Sequence, residues 1–407
     1  MENRYDKYKD SGIAWIGEIP EHWKVKKGKN LFKKEERPVR DNDEIVTCFR
    51  DGEVTLRSNR RIDGFTNAMK EVGYQGVRRG DLVIHNMDAF AGAIGVSDSD
   101  GKSTPVYSVC TPKNNVEANV YYYAYLLRSY ALGGVIQSLA KGIRERSTDF
   151  RYKEFGDLYY QQPPIEEQQS IASYLDQKCG EIDKLITLQE EMITKLQSYK
   201  QSVITEAVTK GLDKNLPLKD SGIEWIGEIP EHWSVVKIKY LAKIKSGDSI
   251  SSNEIMQEGI YEVYGGNGLM GFCNKKNVDG VNIIIGRVGA LCGNVRLISE
   301  SKFITDNALI LNCFDNALYS YMYIMLKAAN LNNLNTSNAQ PLITGSKVLN
   351  VSLPIPPLSE QQSIANYLDQ KCSEIDELIS IKQQKIEKLK DYKKSLIFEC
   401  VTGKRKV

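Results

Sequence analysis

Histidine is nearly missing from this 407-residue chain, with only His22, His85 and His232 present. No Cys–His pairing at zinc spacing and no local Ser-His-Asp or Cys-His grouping arises, so the usual metal and nucleophile signatures are absent. The eight cysteines include no C-x-x-C pair; they read as free thiols of a reducing compartment and not as a disulfide framework. No G-x-x-x-x-G-K-[ST] occurs, which removes P-loop nucleotide chemistry. An Asn or Asp followed by two prolines and an aromatic, the mark of amino-methyl transfer, is also lacking. No apolar run approaches the length of a membrane span. The N-terminus, MENRYDKYKD, has no apolar signal segment. Cytoplasm is therefore the expected location. A formal charge of +2 does not by itself announce a nucleic-acid binder.

What the chain does have is repetition. Asp10–Trp23 reads DSGIAWIGEIPEHW, and Asp220–Trp233 differs from it only in Glu224 for Ala14. A second pair, Gln168–Cys179 and Gln361–Cys372, differs only in Asn366 for Ser173. Each copy of the second motif follows a proline pair, Pro163–Pro164 or Pro356–Pro357, and runs into a long polar-apolar pattern ending in a related tail near Gly211 and Lys404. Between the motifs lie two stretches of little mutual resemblance, about Lys24 to Gln162 and Ser234 to Ile355. A two-unit repeat of this length is not a solenoid; it is a duplicated domain followed by a helix.

The helices are legible from period alone. Leu175, Ile182, Leu196 and Val203 fall seven apart with Gln189 in the gap. Leu368, Ile375, Leu389 and Leu396 do the same with Lys382 in the gap. Leu185, Met192 and Tyr199, and Leu378 and Tyr392, are expected as the companion rows of a heptad seam. Ser359 and Gln362 have capping-box spacing. Two such seams in one chain predict an intramolecular coiled coil; the alternative is that each helix packs on its own domain. The variable stretches read as mixed α/β domains. In the first, strands are expected over 80–86 and 105–112 and a helix over 121–130. The second offers GIYEVYGG, VNIIIGRVG and NALILNC as strands and a helix over 317–330. The fold class is α+β: two α/β domains separated by two long helices, in a pseudo-two-fold repeat. The expected boundaries are 1–162, 163–212, 213–355 and 356–407.

One G-x-G-x-x-G is present, GNGLMG at 266–271. A dinucleotide site needs a helix to open next, and FCNKKNVDG reads as a loop, so a glycine-rich loop near a ligand or DNA backbone, or an ordinary hairpin, is expected. Charge is uneven. The first variable stretch carries 23 Lys and Arg against 18 Asp and Glu, and the second 11 against 8, while the remainder of the chain is negative. Local excess of this kind suits phosphate binding. Arg57, Asn59, Arg60, Arg61, Arg78, Arg79, His85, Asn86, Lys141, Arg144 and Arg146 are candidate DNA contacts in the first domain. Lys245, Tyr264, Asn267, Arg287, Asn338 and Gln340 are those in the second. Arg, Asn and Gln are the side chains that read base edges. Lys275 and Lys276 add to the basic loops.

GEIPEHW opening each variable domain, with PPIEEQQSIASYLDQK and PPLSEQQSIANYLDQK closing them, resembles the specificity subunits of type I restriction–modification systems, over essentially the whole chain. GDLVIHNMDAFAGAIG and VYGGNGLMGF with IIIGRVGALCGNV are similar to target-recognition-domain sequences. The resemblance implies that each variable domain reads one half of a bipartite, asymmetric DNA target and that the helices form an antiparallel coiled coil setting their spacing. It implies two modification subunits docked on the repeats, restriction subunits joined to that core, and no catalysis by this chain. S-adenosylmethionine, ATP and magnesium would reside on those partners, and no metal or membrane contact is expected. Trp15, Trp23, Trp225, Trp233, Gln168, Gln169, Gln361 and Gln362 are the candidate docking residues; the alternative for the tryptophans is each domain's own core. A coiled-coil DNA-binding or protein-interaction scaffold without a restriction–modification partner is the competing reading, and steep salt dependence of DNA binding would separate DNA recognition from protein recognition.

Overall fold

The computed structural model describes residues 4–60, 72–113, 117–139, 149–289, 291–315, 318–335 and 341–407. It forms two compact units, Met1–Gln189 with Gln384–Val407, and Glu190–Gln383. Four helices organise them: α1 (Val120–Leu132), α2 (Ile165–Lys210), α3 (Tyr319–Ala328) and α4 (Leu358–Val401). Each unit therefore combines one variable domain with half of α2 and half of α4. The packing groups the expected segments differently because each helix half shares a core with a domain.

In the first unit, strands Phe32–Lys34, Tyr107–Pro112, Leu82–His85 and Ile94–Val96 form an antiparallel sheet in that spatial order. In the second, Ala242–Ser246, Ala308–Cys313, Asn282–Gly286 and Val295–Ile298 repeat the arrangement. The central strands LVIH and NIIIG are apolar without alternation, and the structure gives the reason: both faces of each sheet are covered. Leu82 and Ile84 face the core shared with α1, while Val83 joins Val46, Val54, Val77 and Val109 on the other side. Ile283 and Ile285 face the core of α3, and Ile284 packs with Ile298 and Ile310 on the opposite face. Helix α1 is started by Asn119, whose side chain accepts from the backbone N–H of Tyr121 and Tyr122. The two domains share this order of elements with little shared sequence.

A short ladder closes each domain. Lys24–Lys27 pairs antiparallel with Tyr159–Gln162, and Ser234–Lys237 with Ser352–Ile355. Lys24 stands opposite Gln162 and Ser234 opposite Ile355. The end of each DSGI…EHW repeat is thereby held beside the proline pair from which a long helix begins. The Pro357 carbonyl accepts from the Glu360 and Gln361 N–H groups. Helix α4 already includes Leu358 and Ser359. The expected capping box of Ser359 and Gln362 is not what starts the helix: Ser359 is already within the first turn, and Gln362 bonds Asn366 instead.

Within each unit the helix halves run antiparallel. In the first, Asp183 pairs with Lys393 at 2.7 Å, while Gly403, just past the end of α4, lies against Trp23, which bonds Glu167 at the start of α2. In the second, Lys200 pairs with Asp376 at 2.6 Å, and Met192 Sδ accepts from Lys382 Nζ at 3.3 Å. The two ion pairs are equivalents under the repeat. The seven-residue rows occupy the seam: Leu175, Ile182, Gln189, Leu368, Ile375 and Leu396 are buried, with Leu196, Lys382 and Leu389 half-buried. The expected companion rows are corrected. Leu185, Met192, Tyr199, Leu378 and Tyr392 are exposed. The inner row lies one position further on, at Cys179, Ile186, Ile193, Ile379 and Ile386, all buried or half-buried. Residues three and four beyond a seam position flank it on opposite sides, and in α2 both flanks carry apolar residues.

Candidate nucleic-acid interface and its scaffold

Each ladder delivers a tryptophan to a helix start. Trp23 Nε1 donates to Glu167 Oε2 at 3.1 Å, and His22 Nε2 lies 2.9 Å from the same oxygen. Tyr5 donates its hydroxyl to the other oxygen of Glu167. In the second unit, Trp233 Nε1 donates to Glu360 Oε2 at 3.0 Å and His232 Nε2 lies 2.7 Å from Glu360 Oε1. A carboxylate in the first turn of a helix also suits the positive end of its dipole. The far side of each indole is closed by the end of the other long helix. A Cβ on Gly403 would stand 3.0 Å from Trp23, and one on Gly211 3.2 Å from Trp233; both glycines have positive φ, +74° and +75°. So one tryptophan, the start of one long helix and the end of the other form a clamp, built twice.

The clamp divides the tryptophans. Trp23 and Trp233 are buried at 0% and 1% exposure, while Trp15 and Trp225 are 41% and 37% exposed. The buried pair belongs to the domain cores, and only the exposed pair remains available to a partner. The glutamines divide likewise. Gln168 is fully buried, donating to the Pro163 and Glu117 carbonyls and accepting from the Asn119 N–H. Gln361 is buried and donates to the Pro356 carbonyl. These two satisfy backbone groups at the helix start, which corrects their assignment to docking. Gln169 and Gln362 are exposed. Glu167 and Glu360 were missed by sequence reasoning, although both copies carry Glu immediately before Gln-Gln.

In the first domain the structure gathers Arg57, Arg60 and His85 around one groove of about 1070 Å³, with Arg50, Met87, Asp88 and Tyr107. Arg60 stacks 4.2 Å over the Phe49 ring and is gripped by Asp51 at 2.5 Å and Glu53 at 3.0 Å. Arg57 Nε approaches Thr47 Oγ1 at 3.4 Å. His85 stands edge-on to Tyr107, and burial, opposed by Asp88, depresses its pKa. Its Nδ1 accepts from the Asp88 N–H at 3.0 Å, which leaves the proton of the neutral ring on Nε2. His85 thus offers a donor and not a cation.

Other candidates have structural work or lie elsewhere. Arg78 donates to both Asp43 oxygens, at 3.1 and 3.0 Å, and to the Val77 and Gly101 carbonyls; its side chain is 14% exposed. It ties a loop to the domain and is corrected as a DNA contact. Asn86 is buried and accepts from Ser108 Oγ at 2.8 Å, so it is corrected as well. Arg79 is exposed, its backbone N–H donating to Asp100. Asn59 is exposed and bonds Thr55 at 2.9 Å. Arg61, Lys141, Arg144, Arg146, Asn338 and Gln340 lie outside the described residues.

In the second domain GNGLMG forms a β-hairpin. Tyr261–Gly265 pairs with Gly268–Cys273, Gly268 has φ +128°, and no helix follows. The dinucleotide geometry is absent there. Asn267 sits at the turn, its carbonyl held by Arg296 Nη2 at 2.9 Å, and Leu269 and Met270 project, 53% and 52% exposed. Tyr264 is half-buried beneath Lys302, whose Nζ lies 5.5 Å from the ring centroid. Lys245 is exposed on the edge strand. Arg287 Nη1 lies 3.4 Å from Ser246 Oγ. Lys275 and Lys276 are paired with Glu254 and Asp279 at 2.6 and 2.5 Å; with Lys275 and Ser251 bonded to it, the Glu254 carboxyl is pulled down to about 2. Among the described residues, no cluster of His, Cys, Asp and Glu could hold a metal, and no helix is long and apolar enough to cross a membrane.

The structure is that of a duplicated helical clamp carrying two divergent α/β domains. Residues 230–391 match the type I restriction modification DNA specificity domain. The chain is 27% identical over 435 residues to the putative type I restriction enzyme MjaX specificity subunit of Methanocaldococcus jannaschii, covering 96% of each. It is 33% identical over 133 residues to the type I restriction enzyme EcoprrI specificity subunit of Escherichia coli, covering 32% of this chain and 33% of that one. Among solved structures, a chain from a study of complex assembly and conformational transition in the type I R-M system aligns with TM-score 0.74 at 16% identity, over 94% of this chain and 98% of that one. The HsdS subunit of Thermoanaerobacter tengcongensis aligns with TM-score 0.54 at 17% identity, over 95% and 98%. Over nearly its whole length the chain is thus similar to specificity subunits of type I restriction–modification systems.

Proposed function

We propose that the chain is the non-catalytic DNA-recognition subunit of a type I restriction–modification complex, each variable domain reading one half of a bipartite, asymmetric target. The duplicated clamp carries this reading: two copies of one scaffold surface suit two copies of one modification subunit, while two different domains suit two different half-sites. Trp15 and Trp225, exposed at the same position of each repeat, would anchor those subunits. S-adenosylmethionine, ATP and magnesium would be held by the modification and restriction subunits, and the complex would work in the cytoplasm.

Purified chain should bind double-stranded DNA with affinity falling steeply as salt rises. It should transfer no methyl group from labelled S-adenosylmethionine until a modification subunit is added. Repeated turnover by the chain alone would overturn the non-catalytic assignment, and salt-insensitive or absent DNA binding would overturn the recognition role.

A further inference from the structure

The groove of the first domain contains an arginine placed differently from its neighbours. Arg50 stands in the tight loop of a β-hairpin whose strands are Val46–Cys48 and Val54–Leu56. Phe49 N–H donates to the Glu53 carbonyl at 2.8 Å, and Gly52 N–H to the Phe49 carbonyl at 2.9 Å. Gly52 has φ +91°, and a Cβ there would meet the Arg128 guanidinium at 2.5 Å, so the turn needs glycine. Arg60 braces the hairpin from the side, with one guanidinium nitrogen on Asp51 and another on Glu53. Arg50 instead gives one nitrogen, Nη2, to Asp88 Oδ1 at 2.9 Å and remains 67% exposed, with Asp88 33% exposed beside it.

We propose that the Arg50–Asp88 pair reads one G·C base pair of the first half-site, Arg50 donating to guanine O6 and N7 and Asp88 accepting from the cytosine N4 amine. This rests on the DNA-recognition reading above. A phosphate attracts an uncompensated cation and is repelled by a carboxylate, so a neutral pair is poorly suited to the backbone. A G·C pair presents in the major groove two acceptors on one base and an amine donor on the other, and the Arg50–Asp88 pair offers their complements side by side. The carboxylate also restrains the long arginine side chain before DNA arrives, which reduces the ordering cost of binding.

The test is a selection of full-length chain on randomised duplexes, followed by affinity measurement at several salt concentrations. Wild type should require G·C at one position of one half-site. R50A and R50K should each lose about tenfold to hundredfold of that discrimination at that position alone, and R50K, which keeps the charge, should leave the salt slope unchanged. D88N should relax the same position. R50K separates the two roles, since it keeps the charge and loses the planar fork. Uniform weakening on every sequence with a salt slope reduced by about one unit, or unchanged G·C preference in R50K, would overturn the proposal. A wild-type chain that binds DNA with no preference at any position would overturn the recognition reading and this proposal with it.

Discussion

Trp23→Ala and Trp233→Ala should each destabilise the unit they sit in by about 3–5 kcal/mol, whereas Trp15→Ala and Trp225→Ala should change stability by less than about 1 kcal/mol. The four residues come from two positions of one repeat, and the surroundings of those positions differ. Trp23 and Trp233 are sealed between a first-turn glutamate and a terminal glycine, so truncation leaves a cavity and strips Glu167 or Glu360 of an indole donor. Trp→Phe should recover most of the loss, since it refills the cavity and forgoes only the N–H bond. Denaturant unfolding followed by circular dichroism, which does not depend on tryptophan as a reporter, measures this. The exposed pair is tested by titrating modification subunit onto the chain: Trp15→Ala and Trp225→Ala should each weaken one docking event by about 2 kcal/mol or more. A stability loss at Trp15 equal to that at Trp23 would show that the repeat is core throughout.

The same contrast explains which features could be read without coordinates. The seven-residue rows of α2 and α4 and the strands LVIH and NIIIG announce themselves because burial imposes a period or removes one. The companion rows did not, since Leu185 and Ile186 are equally apolar and only the partner helix selects Ile186. Identity between copies invited a docking role for Gln168 and Gln361, but identity is equally demanded by a backbone that needs its carbonyls satisfied at both helix starts. Clusters of arginine drew notice at Arg78, where the structure finds a largely buried ion pair with Asp43. Arg50 stood alone in CFRDGEV and carried no cluster. Its one sequence signal was the Asp-Gly turn that follows it, a hairpin cue whose meaning depends on Asp88 arriving from another loop.

Inserting one heptad into both long helices, after Gln189 and after Lys382, should move the recognised half-sites apart by up to about 3 base pairs while leaving the sequence within each half unchanged. Seven helical residues add about 10 Å, and a base pair occupies about 3.4 Å of duplex. These are the points at which the chain passes from one compact unit to the other, at Gln189–Glu190 and Gln383–Gln384 to within a residue. Lengthening there retains the Asp183–Lys393 pair within one unit and the Lys200–Asp376 pair within the other. It also keeps the seven-residue register of both seams, which an insertion of another length would break. Gln189 is buried at its gap, and Lys382 reaches Met192 from the matching one; polar groups at such positions fix register at some cost in stability. Inserting the heptad into α2 alone should therefore be strongly destabilising, which separates a shifted register from a longer spacer. The readout is a binding selection on duplex libraries with variable spacers. A folded double-insertion chain that still prefers the original spacer would show that the helices do not set the distance between the two reading domains.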